Sequence, residues 1–175
     1  PGGGGFGGGR QGRVTLALFH TWRLEDSILI RPGVAELDLL SGSATGARGG
    51  QSRHLIEAQA GYNRNGLGAR IDVDWQSATR VRANGADGGP SPQDLRFGAL
   101  TTVNLRLFAD LGRQQGLVRA MPFFRGSRLT FAVDILFDQR VDVRDAAGVT
   151  PLGYQPDLLD PLGRSVRLSF RKLFY

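Results

Sequence analysis

From Arg13 onward apolar and polar residues alternate with a period of two, the mark of strands with unlike faces. In the first stretch Val14, Leu16, Leu18, His20, Trp22 and Leu24 share one face, with Arg13, Thr15, Ala17, Phe19, Thr21 and Arg23 on the other. A second strand is expected over about residues 53–62, where Ile56, Ala58, Ala60 and Tyr62 oppose Glu57, Gln59 and Gly61. The Asn-Gly pair within NRNG (63–66) suits the positive φ angles of a tight hairpin. The return strand sets Leu67, Ala69, Ile71, Val73 and Trp75 against Arg70, Asp72, Asp74 and Gln76. In a fourth, Phe97, Ala99, Thr101, Val103, Leu105 and Leu107 alternate with Arg96, Gly98, Thr102, Asn104 and Arg106. The fifth carries Leu129, Phe131, Val133, Ile135 and Phe137 opposite Thr130, Ala132 and Asp134. The sixth, SVRLSFRKLF, turns Val166, Leu168 and Phe170 away from Arg167, Ser169 and Arg171. Between these strands, residues 25–51, 82–93 and 138–163 read as loops, and 111–126 as a connection with a helical turn around GLVRAM before Pro122.

The chain has 175 residues, room for one domain or part of a larger one. It opens on Pro1, so an N-terminal portion is expected to precede it. Residues 1–11 are glycine-rich and read as a flexible segment, leaving 12–175 for the strands. The segment has some likeness to RNA-binding RGG stretches, but one Phe and one Arg favour a plain glycine linker.

Charge sharpens the picture. The net charge is +6 and the pI about 10.9, made from 21 Arg and the single Lys172. Such a skew fits a GC-rich genome, and a basic chain suggests nucleic acid, phosphate or an anionic membrane surface as partner. Here the arginines alternate with apolar residues and form no block, which places them on one face of strands.

Little else points to chemistry. Without cysteine there is no disulfide scaffold, thiolate site or cysteine nucleophile, and His20 and His54 are the only imidazoles. Neither histidine has a Ser and an Asp at a recognisable spacing, so the chain is not expected to be an enzyme, and no metal or cofactor is assigned. Asp157 and Asp160 lack the spacing of a calcium loop, and the opening glycines lack the Lys-Ser/Thr of a phosphate-binding loop.

Three features favour a membrane wall over a half-buried sheet with water on one side. The strands run to about ten residues, enough to cross a bilayer when tilted. Aromatics gather toward strand ends, at Trp22, Tyr62, Trp75, Phe97, Phe137 and Phe174, where an interfacial girdle would sit. The polar face carries both signs of charge, as a wet lumen would. The expected fold is therefore all-β: an antiparallel transmembrane β-barrel wall of about six long strands. Its lumenal row would hold Arg70, Asp72, Asp74, Arg96, Asn104, Arg106 and Arg167. Bacterial barrels need about eight strands or more to close, so further strands are expected from a longer chain or another copy.

The C-terminal DPLGRSVRLSFRKLF resembles the terminal β-signal of outer-membrane proteins, with Gly163, Val166, Leu168, Phe170 and Phe174 in the signal positions. FAVDILFDQRV resembles the penultimate strand of TonB-dependent receptors, although Ile135 stands where that family usually has Asn. With FHTW, LIRPG and QPDLLDPLG, the whole chain resembles the C-terminal barrel portion of such a receptor, of alphaproteobacterial type. The resemblance implies a 22-stranded barrel with an N-terminal plug in the outer membrane of a Gram-negative bacterium. Its implied partners are membrane lipid and lipopolysaccharide, the barrel-assembly machinery and the TonB complex, with no nucleic acid. The implied function is uptake of a scarce small-molecule nutrient, such as a ferric siderophore. The alternatives are a passive outer-membrane barrel and a basic β-domain in solution whose RGG-like arm binds nucleic acid.

Overall fold

The computed structural model describes residues 12–43, 49–84, 88–160 and 163–174; the glycine-rich segment lies outside them. Six long strands form one sheet: β1 (Arg13–Trp22), β2 (His54–Arg64), β3 (Leu67–Gln76), β4 (Leu100–Asp110), β5 (Ser127–Asp134) and β6 (Ser165–Lys172). They pair in chain order, every neighbour antiparallel, so β1 and β6 are the two edges. The fold is all-β with a few short helical turns.

One end of the sheet is closed tightly. Asn65 and Gly66 adopt φ of 51° and 80°, the left-handed pair that a two-residue hairpin demands. The β4–β5 connection carries a short helix, Gln115–Ala120, and packs on this hairpin. Asp110 donates its backbone N–H to the Gly66 carbonyl at 2.7 Å, and the Gln114 amide donates to the Asn65 carbonyl at 2.8 Å.

The opposite end holds the long connections and most of the small core. Ser27–Ile28 pairs with Leu37–Asp38, and Thr79–Val81, Leu95–Phe97 and Val143–Arg144 form a three-stranded antiparallel sheet. Val143 is fully buried and Phe97 nearly so at 4% exposure, with Leu39 buried nearby. The third connection is tied at its root: Asp138 accepts the Arg164 backbone N–H at 2.9 Å, and Arg140 pairs with both Asp138 and Asp157. Gly163 sits in that knot with φ of 53°, and a Cβ there would meet Asp138 Oδ1 at 2.7 Å.

The first and sixth strands end two residues earlier than expected, at Trp22 and Lys172, and the fourth and fifth depart further. The fourth begins at Leu100, and Phe97 belongs to the small sheet, edge-on to Tyr154 at 5.7 Å. Phe97 is therefore a core residue of the loop end and not part of an aromatic girdle. The fifth strand stops at Asp134, because the Asn104 side chain accepts the Ile135 N–H at 3.0 Å and turns the chain. Ile135 takes φ of 54°, Leu136 donates to the Val103 carbonyl, and Phe137 points outward beyond the strand. A β-branched residue in the left-handed region is strained by roughly 1–2 kcal/mol.

That strain is measurable. Ile135→Gly and Ile135→Ala remove the same contacts beyond Cβ, but only glycine relieves the backbone. The Gly variant should be the more stable by about 1 kcal/mol, with Ile135→Asn between them. Unfolding midpoints of the three proteins check this, and equal midpoints would refute a left-handed Ile135.

Candidate functional site

Register turns the alternation of single strands into continuous rows. Leu16, Ala60, Ile71, Leu105, Val133 and Val166 lie side by side across all six strands. The next apolar row is Val14, Tyr62, Ala69, Leu107, Phe131 and Leu168. Most of these residues are uncovered among the described residues: Leu16 is 77% exposed and Leu168 68% at the edges, and Ile71 is still 42% exposed mid-sheet, while Val133 on β5 is buried at 6%. Six strands about 4.8 Å apart and some 26 Å long present on the order of 600 Å² here, at or above the largest apolar patches of ordinary monomers.

The other face is polar. Thr15, Gly61, Arg70, Arg106, Ala132 and Arg167 form one of its rows, with Gln59, Asp72 and Asn104 in the next. Arg70 and Arg106 stand directly opposite each other, yet Arg70 reaches along its own strand to Asp72 at 2.8 Å. The ion pair thus runs within a strand and not as a rung between strands. Asp74 lies opposite Glu57, and Asn104 is committed to the turn at Ile135. Phe108, also on this face, lies over Gly68, where any Cβ would overlap its ring.

Arg96 is not in this row. It lies in the small loop-end sheet, directly between Arg80 and Arg144 on the adjacent strands. The alternate residues Phe97 and Val143 point into the loop core, so the three arginines share the exposed face. Nothing in the local sequence marks this line, because its three strands come from segments far apart in the chain. Asp142 hydrogen-bonds Arg144 at 2.8 Å and keeps its guanidinium charged even further above neutrality than usual. In the neighbouring loop the Ser41 hydroxyl, with the Leu40 and Ser41 amides, holds the Asp38 carboxyl below its ordinary value.

The C-terminal strand presents Val166, Leu168 and Phe170 on the uncovered face, while Gly163 sits in the knot before the strand and Phe174 just past its end, 85% exposed. Phe170 stacks on Phe123 with ring centroids 6.2 Å apart. Lys172 shares their row, but its ammonium turns back to the 122–125 turn, donating to the Phe123 carbonyl at 2.6 Å and to the Arg125 carbonyl. It also sits 5.3 Å from the Phe123 ring centroid. The sequence held a signal for this: the only lysine among 21 arginines stands on an apolar row. His54 stacks on both His20 and Trp22 at the opposite end of the same face, His20 Nε2 lying 3.2 Å from His54 Nδ1. No group of three or more metal-ligating side chains occurs among the described residues.

These features define an all-β protein with one uncovered apolar face and one charged face. No family model, curated protein or solved structure matches the chain.

The ammonium cap ties the end of β6 to the preceding turn. Lys172→Met keeps the aliphatic stem and loses the donor, so it should cost about 1 kcal/mol. Arg171→Met, on the other face, should cost less. Thermal midpoints of the two variants measured side by side decide between a cap and an idle surface charge.

Proposed function

We propose that the sheet is part of the wall of an outer-membrane β-barrel and that the chain is the C-terminal barrel portion of a TonB-dependent-type receptor, which imports a scarce small-molecule nutrient. The uncovered apolar face carries this reading. A lipid bilayer suits an apolar surface spanning six strands, with charge on the reverse side. Four of the strands have 10 or 11 residues, the length of a tilted crossing of the hydrocarbon core, and β5 and β6 have 8. A bare edge costs several kcal/mol for each backbone group left unpaired in lipid, so β1 and β6 pair with further strands.

The receptor class rests on the resemblance of the last two strands, and one structural detail supports it. Ile135 holds left-handed backbone at the position where that family usually has Asn, the residue type that tolerates such backbone best. On this reading Gly163, Val166, Leu168, Phe170 and Phe174 serve the assembly machinery. The Arg70, Asp72, Arg106 and Arg167 face lines a wet lumen, and no catalysis is assigned. The hairpin at Asn65 faces the periplasm and the loop end faces outward.

Topology is tested by single cysteines in the full-length protein on whole cells. Ser43→Cys and Gly88→Cys should react with an impermeant thiol reagent, and Asn65→Cys should not. Labelling at Asn65 alone inverts the topology. Labelling at none of the three in intact cells, with all three reactive after lysis, removes the protein from the outer membrane. In planar bilayers the purified full-length protein should be closed to ions, as a plugged receptor is. Steady conductance would make it a passive barrel.

A second test separates the faces. Arg at Val73, Val103 or Leu168 should cost about 2–4 kcal/mol near the bilayer midplane. Arg at Gln76, Thr102 or Ser169 should be mild. Unfolding titrations in lipid vesicles read the difference, and equal tolerance of both rows would place the sheet in water.

A further inference from the structure

The line of Arg80, Arg96 and Arg144 is costly as it stands. Like charges directly opposite in a ladder repel, and here three occupy adjacent strands about 5 Å apart. Among the described residues, the nearby carboxylates form an ion pair with Arg144 alone of the three. Asp94 spends its two oxygens on the Ala83 and Ser91 backbone amides at 3.0 and 3.2 Å. Asp145 Oδ1 accepts the Ala147 and Val149 amides, both at 2.9 Å. Asp142 takes up Arg144, which also donates to the Gly148 carbonyl at 3.0 Å and is fixed in place. Arg80 and Arg96 form no salt bridge among the described residues. The same residues border a cleft of about 440 Å³, within the size range of small-ligand sites, with Arg82 on its wall.

The back of the small sheet explains why the line is rigid. Phe97 and Val143 are buried in the loop core, and the Gly98 backbone N–H donates to the Asp142 carbonyl at 2.7 Å. The three arginines thus stand on a fixed base, adjacent in register and all exposed. Planar guanidiniums at this spacing suit two adjacent phosphate groups, each accepting paired N–H donors.

We propose that Arg80, Arg96 and Arg144 form a binding site for a ligand carrying two or more clustered phosphate groups. The phosphates come either from a soluble ligand or from a phosphorylated glycolipid headgroup. The site is built from the loop-end sheet alone, so it stands whether or not the long sheet lies in a membrane.

The test uses purified full-length protein with two probes: inorganic tripolyphosphate, and vesicles containing bisphosphorylated lipid A compared with vesicles lacking it. Tripolyphosphate should raise the thermal midpoint of the wild type, with an affinity that falls as salt rises. Arg96→Gln, at the centre, should weaken binding tenfold or more, and Arg80→Gln with Arg96→Gln should abolish it. Arg96→Gln without anion should melt at or above the wild-type temperature, because it removes the repulsion; a lower midpoint would show that the line is not under strain. Arg106→Gln, on the long sheet, should bind like the wild type. Stronger binding to lipid A vesicles than to tripolyphosphate assigns the site to a headgroup, and the reverse assigns it to a soluble ligand. Failure of both probes to bind the wild type would overturn the proposal. Equal loss in Arg96→Gln and Arg106→Gln would reduce it to diffuse attraction by net charge.

Discussion

An antiparallel sheet needs cover for its apolar face and partners for its edges, and the described residues supply no partner for either edge and little cover. Two rows of six apolar residues, from Leu16 to Val166 and from Val14 to Leu168, run unbroken across the strands, and among the described residues all of them but Val133 stay partly or wholly exposed. Burying a Leu, Val or Phe side chain is worth about 1.5–3 kcal/mol, and most of that gain is forgone here until something covers the face. The rest of the architecture fits this constraint. The buried residues gather at the loop end and along β5, where Val143, Phe97, Leu39, Ala132 and Val133 are enclosed. The hairpin end is fastened by hydrogen bonds between Gly66, Asp110, Asn65 and Gln114. Order at both ends leaves the middle of the sheet as a two-faced surface whose stability depends on its surroundings.

The long strands were legible because alternation is a local property. Each residue's side follows from its neighbours, and the Asn-Gly pair announces the first hairpin without reference to the rest of the chain. The errors came where a distant group decides the backbone. Apolar alternation continues through Ile135 and Phe137, but the strand ends because Asn104, some thirty residues earlier, captures the Ile135 amide. Phe97 fits the pattern of the following strand equally well, yet the pairing of Leu95–Phe97 with Thr79–Val81 and Val143–Arg144 carries it into a different sheet. The C-terminal row was readable residue by residue, whereas the Lys172 cap needed the position of the 122–125 turn.

Arginine plays two roles that composition alone does not separate. On the long sheet Arg70 and Arg106 face each other, but the acids Asp72 and Asp74 lie on the same face one and two rows away, and Arg70 is paired. That surface mixes both signs of charge and suits water. In the loop-end sheet the acids are equally near in sequence, but backbone amides take both oxygens of Asp94 and one of Asp145, and among the described residues Arg80 and Arg96 form no salt bridge. Whether arginine is balanced or waiting for an anion is thus set by where the acids spend their oxygens. In Asp94 and Asp145 the bonds that shape the loops also draw carboxylate oxygens away from the arginines. Loop geometry and electropositive potential are therefore one property of this end of the molecule, and neither can be altered at those aspartates without altering the other.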